Sequence, residues 1–294
     1  MKAALFLSLA LTAVSTTSAA PTEDLVLSLP GWEGPLPSKW FSGFLTYKVL
    51  DKNINTHYIY IEQEKRDEVN SSTNSTDGPL IFWSNGGPGA SSLFGLFTEL
   101  GPLQLNDDSL ASPEYLETGT PTLYKNDAAW SNVGDLLIFD APAPVGFSYC
   151  DNDWTGDGLS CGDWNDELAS ANNKGALDAF YLKFPELKAK DLYLTGESYA
   201  GIYVPTFARE ILDDSASGIN LKGFAVGDAC TGTEVLCGGD NDFGPYMDLM
   251  FMYGHGQFSS KTWESIVDSC TIQGLKHIPE GGYSLECKSP TKPN

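Results

Sequence analysis

The sequence predicts an α/β protein, a mostly parallel central sheet with helices on both faces and a partly helical insertion. Three observations carry this. Short apolar runs at residues 79–84, 134–140, 191–195 and 221–226 have strand length and end in loops bearing Gly, Pro or Asp. Short, largely apolar runs of this kind suit strands of a sheet covered on both faces. Helical spacing lies between them, and the alternation of such strands with helices predicts parallel pairing.

The elements follow in chain order. Residues 1–20 read as a signal peptide, with Lys2 as the charged start, Ala3 to Val14 as the apolar stretch and Ser18-Ala19-Ala20 as a small-residue cleavage site. Cleavage after Ala19 and after Ala20 both fit. Phe41 to Leu50 and Thr56 to Ile61 are expected to form two strands joined by a turn at Asp51-Lys52-Asn53. The polar run from Glu62 to Asp77 holds two glycosylation sequons, at Asn70 and Asn74. Pro79 to Ser84 is a strand that stops at Asn85-Gly86-Gly87-Pro88-Gly89, a loop able to take positive φ. Gly134 to Asp140 repeats that pattern. Trp164, Leu168, Ala171, Ala176, Ala179 and Leu182 recur near helical spacing, with Asp163 as N-cap and Pro185 past the end. Asp191 to Thr195 and Leu221 to Val226 complete the strands. Residues 21–230 are thus expected to form the core. Residues 231–294 read as an insertion and tail, with helices near Tyr246–Tyr253 and Ser260–Ser269.

Composition excludes several classes of function. The chain has 294 residues, 41 % of them hydrophobic, enough for a large core. Asp and Glu number 39 against 17 Lys and Arg, a formal charge of −22. That field repels phosphate backbones and anionic headgroups, so neither nucleic acid nor a membrane surface is an expected partner. After the first segment nothing approaches the ~20 apolar residues of a membrane span. Six cysteines in an exported protein favour disulfides. Cys150 and Cys161 flank an Asp- and Gly-rich loop and form a natural local pair. The connectivity of Cys230, Cys237, Cys270 and Cys287 stays open, and no ligand cluster suggests a metal.

The chemistry centres on Gly196-Glu197-Ser198-Tyr199-Ala200-Gly201, between a predicted strand and a predicted helix. A nucleophile elbow belongs there: a tight turn lifts the serine hydroxyl clear, and Gly196 and Ala200 leave room for the crowded backbone. Acyl transfer through serine also needs two backbone donors for the oxyanion. One comes from the residue after the nucleophile, here Tyr199, and one from an earlier strand-end loop, for which Asn85 to Gly89 qualifies.

Trp83–Ser92 (WSNGGPGASS), Phe97–Pro102 (FTELGP), Gly146–Tyr149 (GFSY) and Gly196–Gly201 (GESYAG) together resemble the successive motifs of the serine carboxypeptidases. So do Leu221–Gly227 (LKGFAVG) and Tyr253–Gln257 (YGHGQ), with order and spacing kept from about Pro37 to Cys270. The resemblance implies an α/β-hydrolase fold with Ser198 as nucleophile and the amides of Gly87 and Tyr199 as oxyanion hole. It also implies that Asn85, the Gly86 amide, Glu99 and Glu197 bind a substrate's C-terminal carboxylate. Two glutamates facing an anion would repel it if both were ionised. Placed together, one gains a raised pKa and donates a hydrogen bond.

The implied activity is release of C-terminal residues from peptides or proteins without metal or organic cofactor, in a secreted, vacuolar or lysosomal setting. Two other readings stand beside it: an acyltransferase using the same acyl-enzyme, and a non-catalytic binding protein. Two departures bear on the choice. Ala90 stands where many relatives have a cysteine. The triad acid and histidine that relatives carry on later strands have no counterpart here, so the last strands are expected to be missing by truncation. His255 and His277 lie in unmatched contexts, His57 lies upstream on an early strand, and Asp228 follows a strand earlier than the family places its acid.

Overall fold

The computed structural model describes residues 20–49, 51–65, 78–151, 161–231, 244–272 and 275. Residues 1–19 of the segment read as a signal peptide, both sequons and His277 lie outside them.

The strands in chain order are β1 (Leu25–Val26), β2 (Trp40–Val49), β3 (Lys52–Ile61), β4 (Leu80–Ser84), β5 (Leu103–Gln104), β6 (Tyr124–Lys125), β7 (Asp135–Phe139), β8 (Tyr149–Cys150), β9 (Leu192–Glu197) and β10 (Leu221–Gly227). The helices are α1 (Leu93–Gly95), continued by a π-helical turn at Leu96–Leu100, then α2 (Pro113–Thr118), α3 (Asp166–Lys183), α4 (Ala200–Asp213), α5 (Gly244–Gly254) and α6 (Ser260–Cys270). Eight strands form one sheet in the order β1-β2-β3-β7-β4-β9-β10, with β8 also on β3, while β5 and β6 pair separately. β7, β4, β9 and β10 are mutually parallel, and the antiparallel β2–β3 hairpin extends the sheet beyond β7. Among the described residues, no helix is long and apolar enough to cross a membrane.

Side-chain alternation explains why the runs on β4 and β7 are largely apolar, whereas β9 alternates buried with more exposed positions and β10 is mostly exposed. On β4, Leu80 and Phe82 join the core under α3 and α4, while Ile81 and Trp83 join the core on the opposite face. β7 divides the same way, Leu137 and Phe139 against Leu136 and Ile138. Successive strand residues point to opposite faces, so a strand covered on both sides has no polar position left.

The structure moves three sequence expectations. β3 begins at Lys52, pairing with Val49, so the connection is shorter than the three-residue turn read from sequence. Asp51 has φ 62°, the left-handed conformation that short acidic and amide side chains tolerate in tight hairpins. The N-cap of α3 is Asn165 instead of Asp163: its side chain accepts a 2.9 Å bond from the Leu168 amide. The buried stripe of α3 is also rotated. Ala169, Ala176, Leu177, Phe180 and Tyr181 face the sheet, and Leu182 is 84 % exposed. Phe180 decides this, since its ring packs with Tyr58, Tyr60 and Phe184 at centroid distances of 4.8–5.9 Å. Filling that space with an aromatic ring buries more apolar area than Leu182 offers.

The expected local disulfide joins Cys150 to Cys161. It holds β8 and the start of the α3 segment against Ile54 and Ala143 in a small separate core. Cys230 is disulfide-bonded as well.

Candidate functional site

β4 and β9 are adjacent and parallel, with Ser84 in register with Gly196. Their ends therefore coincide, and the loop that leaves β4 meets the turn that leaves β9. The site arises from that register.

At the end of β9, Ser198 is exposed and has φ 57°, a strained conformation for a residue with a Cβ. The turn is held from both sides. The Ser198 amide donates to the Gly227 carbonyl at 3.0 Å, and the Ser198 carbonyl accepts from the amides of Gly201 and Cys230 at 2.9 and 2.8 Å. Helix α4 starts at Ala200, so its N-terminal end lies beside the serine and its dipole favours negative charge there. Gly196 is required by crowding: an added Cβ would lie 2.5 Å from the Ala200 Cβ and from the Ser84 carbonyl oxygen.

The loop from Asn85 to Ser92 presses on this turn. A Cβ added at Gly86 would lie 2.3 Å from the Tyr199 nitrogen and 3.0 Å from the Ser198 Cβ. The loop is pinned at several points. The Asn85 amide donates to Ser92 Oγ at 3.1 Å, Ala90 N–H to the Gly86 carbonyl at 3.1 Å, and Gly89 N–H to the Tyr203 hydroxyl at 3.2 Å. Gly87 is exposed with φ 115°. Among the described residues, neither the Gly87 amide nor the Tyr199 amide donates a hydrogen bond to a protein acceptor. Two unengaged amides beside an exposed serine can receive a developing oxyanion.

Next to the serine is a carboxyl pair. Asn85 is buried and its orientation is fixed: its Oδ1 accepts from Trp83 Nε1 and the Gly95 amide, both at 3.0 Å. Its Nδ2 therefore points outward and donates to Glu197 Oε1 at 2.8 Å. Glu99, on the π-helical turn, brings its carboxyl beside Glu197 and Asn85. Its carboxyl is held above the usual glutamate range, first by loss of hydration and then by the charge and hydrogen bond of Glu197. The bond from Asn85 works in the other direction.

A family model described as serine carboxypeptidase matches residues 30–290. The chain belongs to the serine carboxypeptidase family. The lysosomal protective protein of Mus musculus is 36 % identical over 269 residues, 92 % of this chain and 48 % of the mouse protein. Serine carboxypeptidase-like 20 of Arabidopsis thaliana is 33 % identical over 98 % of this chain and 52 % of its own length. The chain thus spans about half the length of these curated relatives. Among solved structures, the prohormone-processing carboxypeptidase Kex1 of Saccharomyces cerevisiae superposes with a TM-score of 0.60 at 25 % identity, over 92 % of this chain and 55 % of Kex1. The fold is that of the α/β-hydrolases.

The residues that the carboxypeptidase motifs single out converge here: Asn85, Gly86, Gly87, Glu99, Glu197, Ser198 and Tyr199 all sit around the ends of β4 and β9. The histidines do not. His57 is buried on β3, with Nδ1 2.9 Å from Asp140 and Nε2 2.9 Å from Ser42. His255 is exposed at the end of α5, where Nδ1 lies 2.8 Å from the Phe251 carbonyl of its own helix. Among the described residues, no histidine hydrogen-bonds Ser198. Sequence reading missed the residues that hold the site from behind, Ser91, Asp140, Asp166 and Tyr203. Asp166 accepts a 2.9 Å bond from the Tyr199 hydroxyl, and Tyr203 stacks edge-on against Tyr199. A signal existed for Tyr203 alone, which is one helical turn after Tyr199.

Proposed function

We propose that the protein is a serine carboxypeptidase acting on peptides or protein C-termini through an acyl-enzyme on Ser198. Ser198 Oγ attacks the scissile carbonyl and gives its proton to a base outside the described residues. The carbonyl oxygen, now carrying the negative charge, is received by the Gly87 and Tyr199 amides. As the tetrahedral intermediate collapses, the base passes that proton to the leaving nitrogen, the C–N bond breaks and the C-terminal residue departs as amine. Water then hydrolyses the ester on Ser198. Asn85, the Gly86 amide, Glu197 and Glu99 bind the substrate's terminal carboxylate, which places the last peptide bond over the serine.

The observation that carries this reading is the pairing of two unengaged amides with a carboxyl cluster beside one exposed serine. An ordinary esterase has no use for two acidic side chains there, whereas a protonated carboxyl recognises a terminal carboxylate by hydrogen bonding. A setting in the secretory pathway or lysosomal lumen fits the reading, supported by the disulfide and by the name of the mouse relative.

The pH dependence tests it. Below its raised pKa, Glu99 is neutral and donates to the substrate. As pH rises through that pKa it ionises beside Glu197 and repels the substrate carboxylate. KM for free-acid peptides is therefore expected to rise about tenfold before kcat falls, while the same peptides blocked as amides show a flat KM. Glu99→Gln, which cannot ionise, should flatten the free-acid profile too. A KM for free-acid peptides that stays level from acid to neutral pH in the unmodified protein contradicts the carboxylate clamp.

A further inference from the structure

Asp140 follows β7 directly and has no part in the reaction proposed above, yet its side chain is completely buried. Three donors satisfy it. Oδ1 accepts from the Ser91 hydroxyl at 2.5 Å, and Oδ2 accepts from His57 Nδ1 at 2.9 Å and from the Phe147 amide at 3.3 Å. The backbone is tied at the same place: Asp140 N–H donates to the His57 carbonyl at 3.0 Å, and His57 N–H donates to Ser148 Oγ at 2.8 Å. The node therefore locks β3, β7 and the loop from 141 to 148 into one rigid frame.

A buried carboxylate loses several kcal/mol of hydration, and its partners commonly do no more than offset this. Its value lies in geometry. Of the three side-chain bonds, two stay within the frame, and the third leaves it, to Ser91 at the far end of the loop from Asn85 to Ser92. Gly87, whose amide is proposed to receive the oxyanion, is four residues away on the same loop. That loop is otherwise pinned at Asn85, Gly86 and Gly89.

We infer that Asp140, oriented by His57, is a positioning residue that acts through Ser91 to hold the oxyanion loop with the Gly87 amide unengaged and facing Ser198. The inference rests on the Ser198 reading. Ser42, His57 and Asp140 also stand in the order of a second serine triad. Ser42, however, sits within β2 in register with Ile59 of β3, and among the described residues it is not at a strand-to-helix turn such as the one that presents Ser198. Without the oxyanion donors of such a turn, that arrangement orients the imidazole and does no acyl transfer.

The test combines kinetics with amide hydrogen exchange across residues 86–92 in the full chain. Stabilising an oxyanion lowers the barrier without tightening substrate binding, so the loss should fall on kcat. Ser91→Ala and Asp140→Asn are expected to lower kcat about tenfold with KM within twofold, and to speed exchange in the loop about tenfold. Ser91→Thr, which keeps the hydroxyl, restores both, and Ser42→Ala, two contacts further from the loop, has a smaller effect on each than Ser91→Ala. Exchange in Ser91→Ala that matches the unmodified protein overturns the inference, whatever happens to Asp140→Asn. So does a kcat loss in Ser42→Ala equal to that in Ser91→Ala. If the unmodified protein has no turnover, the kinetic arm says nothing about Asp140, and the exchange arm alone decides whether Asp140 holds the loop.

Discussion

Ser198→Ala is expected to reduce kcat for release of a C-terminal residue on the order of 10⁶-fold, the scale of loss when a serine nucleophile is removed from an assembled site. What remains, about 10³ to 10⁴ over water, belongs to the oxyanion donors and to binding. KM should change little, because the carboxylate cluster of Asn85, Glu99 and Glu197 is left intact. The fold should survive as well: Ser198 Oγ has no hydrogen-bond partner among the described residues, and the turn is held by backbone bonds to Gly227, Gly201 and Cys230. Thermal unfolding of the variant beside the unmodified protein checks that the loss is chemical. A variant that keeps more than a hundredth of the original kcat is incompatible with an acyl-enzyme on this residue.

The second large effect is expected at a residue with no side chain of its own. In Gly86→Ala the new methyl would lie 2.3 Å from the Tyr199 nitrogen and 2.9 Å from the Glu197 carbonyl oxygen. Both neighbours are backbone, so no side chain can rotate away, and the loop after β4 must lift from the elbow after β9. That separates the Gly87 and Tyr199 amides. Losing one oxyanion donor costs about 10² to 10³ in kcat, and overpacking costs roughly 1–3 kcal/mol of folding stability. Steady-state kinetics with a blocked dipeptide and a thermal melt measure the two parts. A kcat within threefold of the unmodified value would show that the two amides do not act together.

Both effects trace back to features that are local in the chain, and so the site's front was legible in the sequence. A buried strand, a tight turn with small flanking residues and a following helix need only about fifteen residues to be recognised. The glycine-rich loop after β4 is equally local. Their meeting is not local, and it follows from β4 and β9 being neighbours in a parallel sheet. What the sequence did not show are contacts fixed by topology alone. The Ser91–Asp140–His57 chain joins residues 49 and 83 positions apart, and nothing near any of the three marks it. The face of α3 was misread for a related reason. Periodicity weighs Leu182 and Leu168 as much as Phe180, but the sheet opposite offers an aromatic pocket that only Phe180 fills. The start of β3 and the Asn165 cap moved by a few residues because hairpin register and cap geometry depend on which residues are brought opposite each other.

The central claim is that Ser198, between the Gly87 and Tyr199 amides, is the nucleophile. Its most direct test is to treat the native protein with a fluorophosphonate at acid pH and map the adduct by peptide mass spectrometry. The account predicts a single modified peptide carrying the phosphonate on Ser198, loss of C-terminal residue release in step with labelling, and no adduct in Ser198→Ala. An adduct on another residue, or carboxypeptidase turnover that persists after Ser198 is fully labelled, would contradict it.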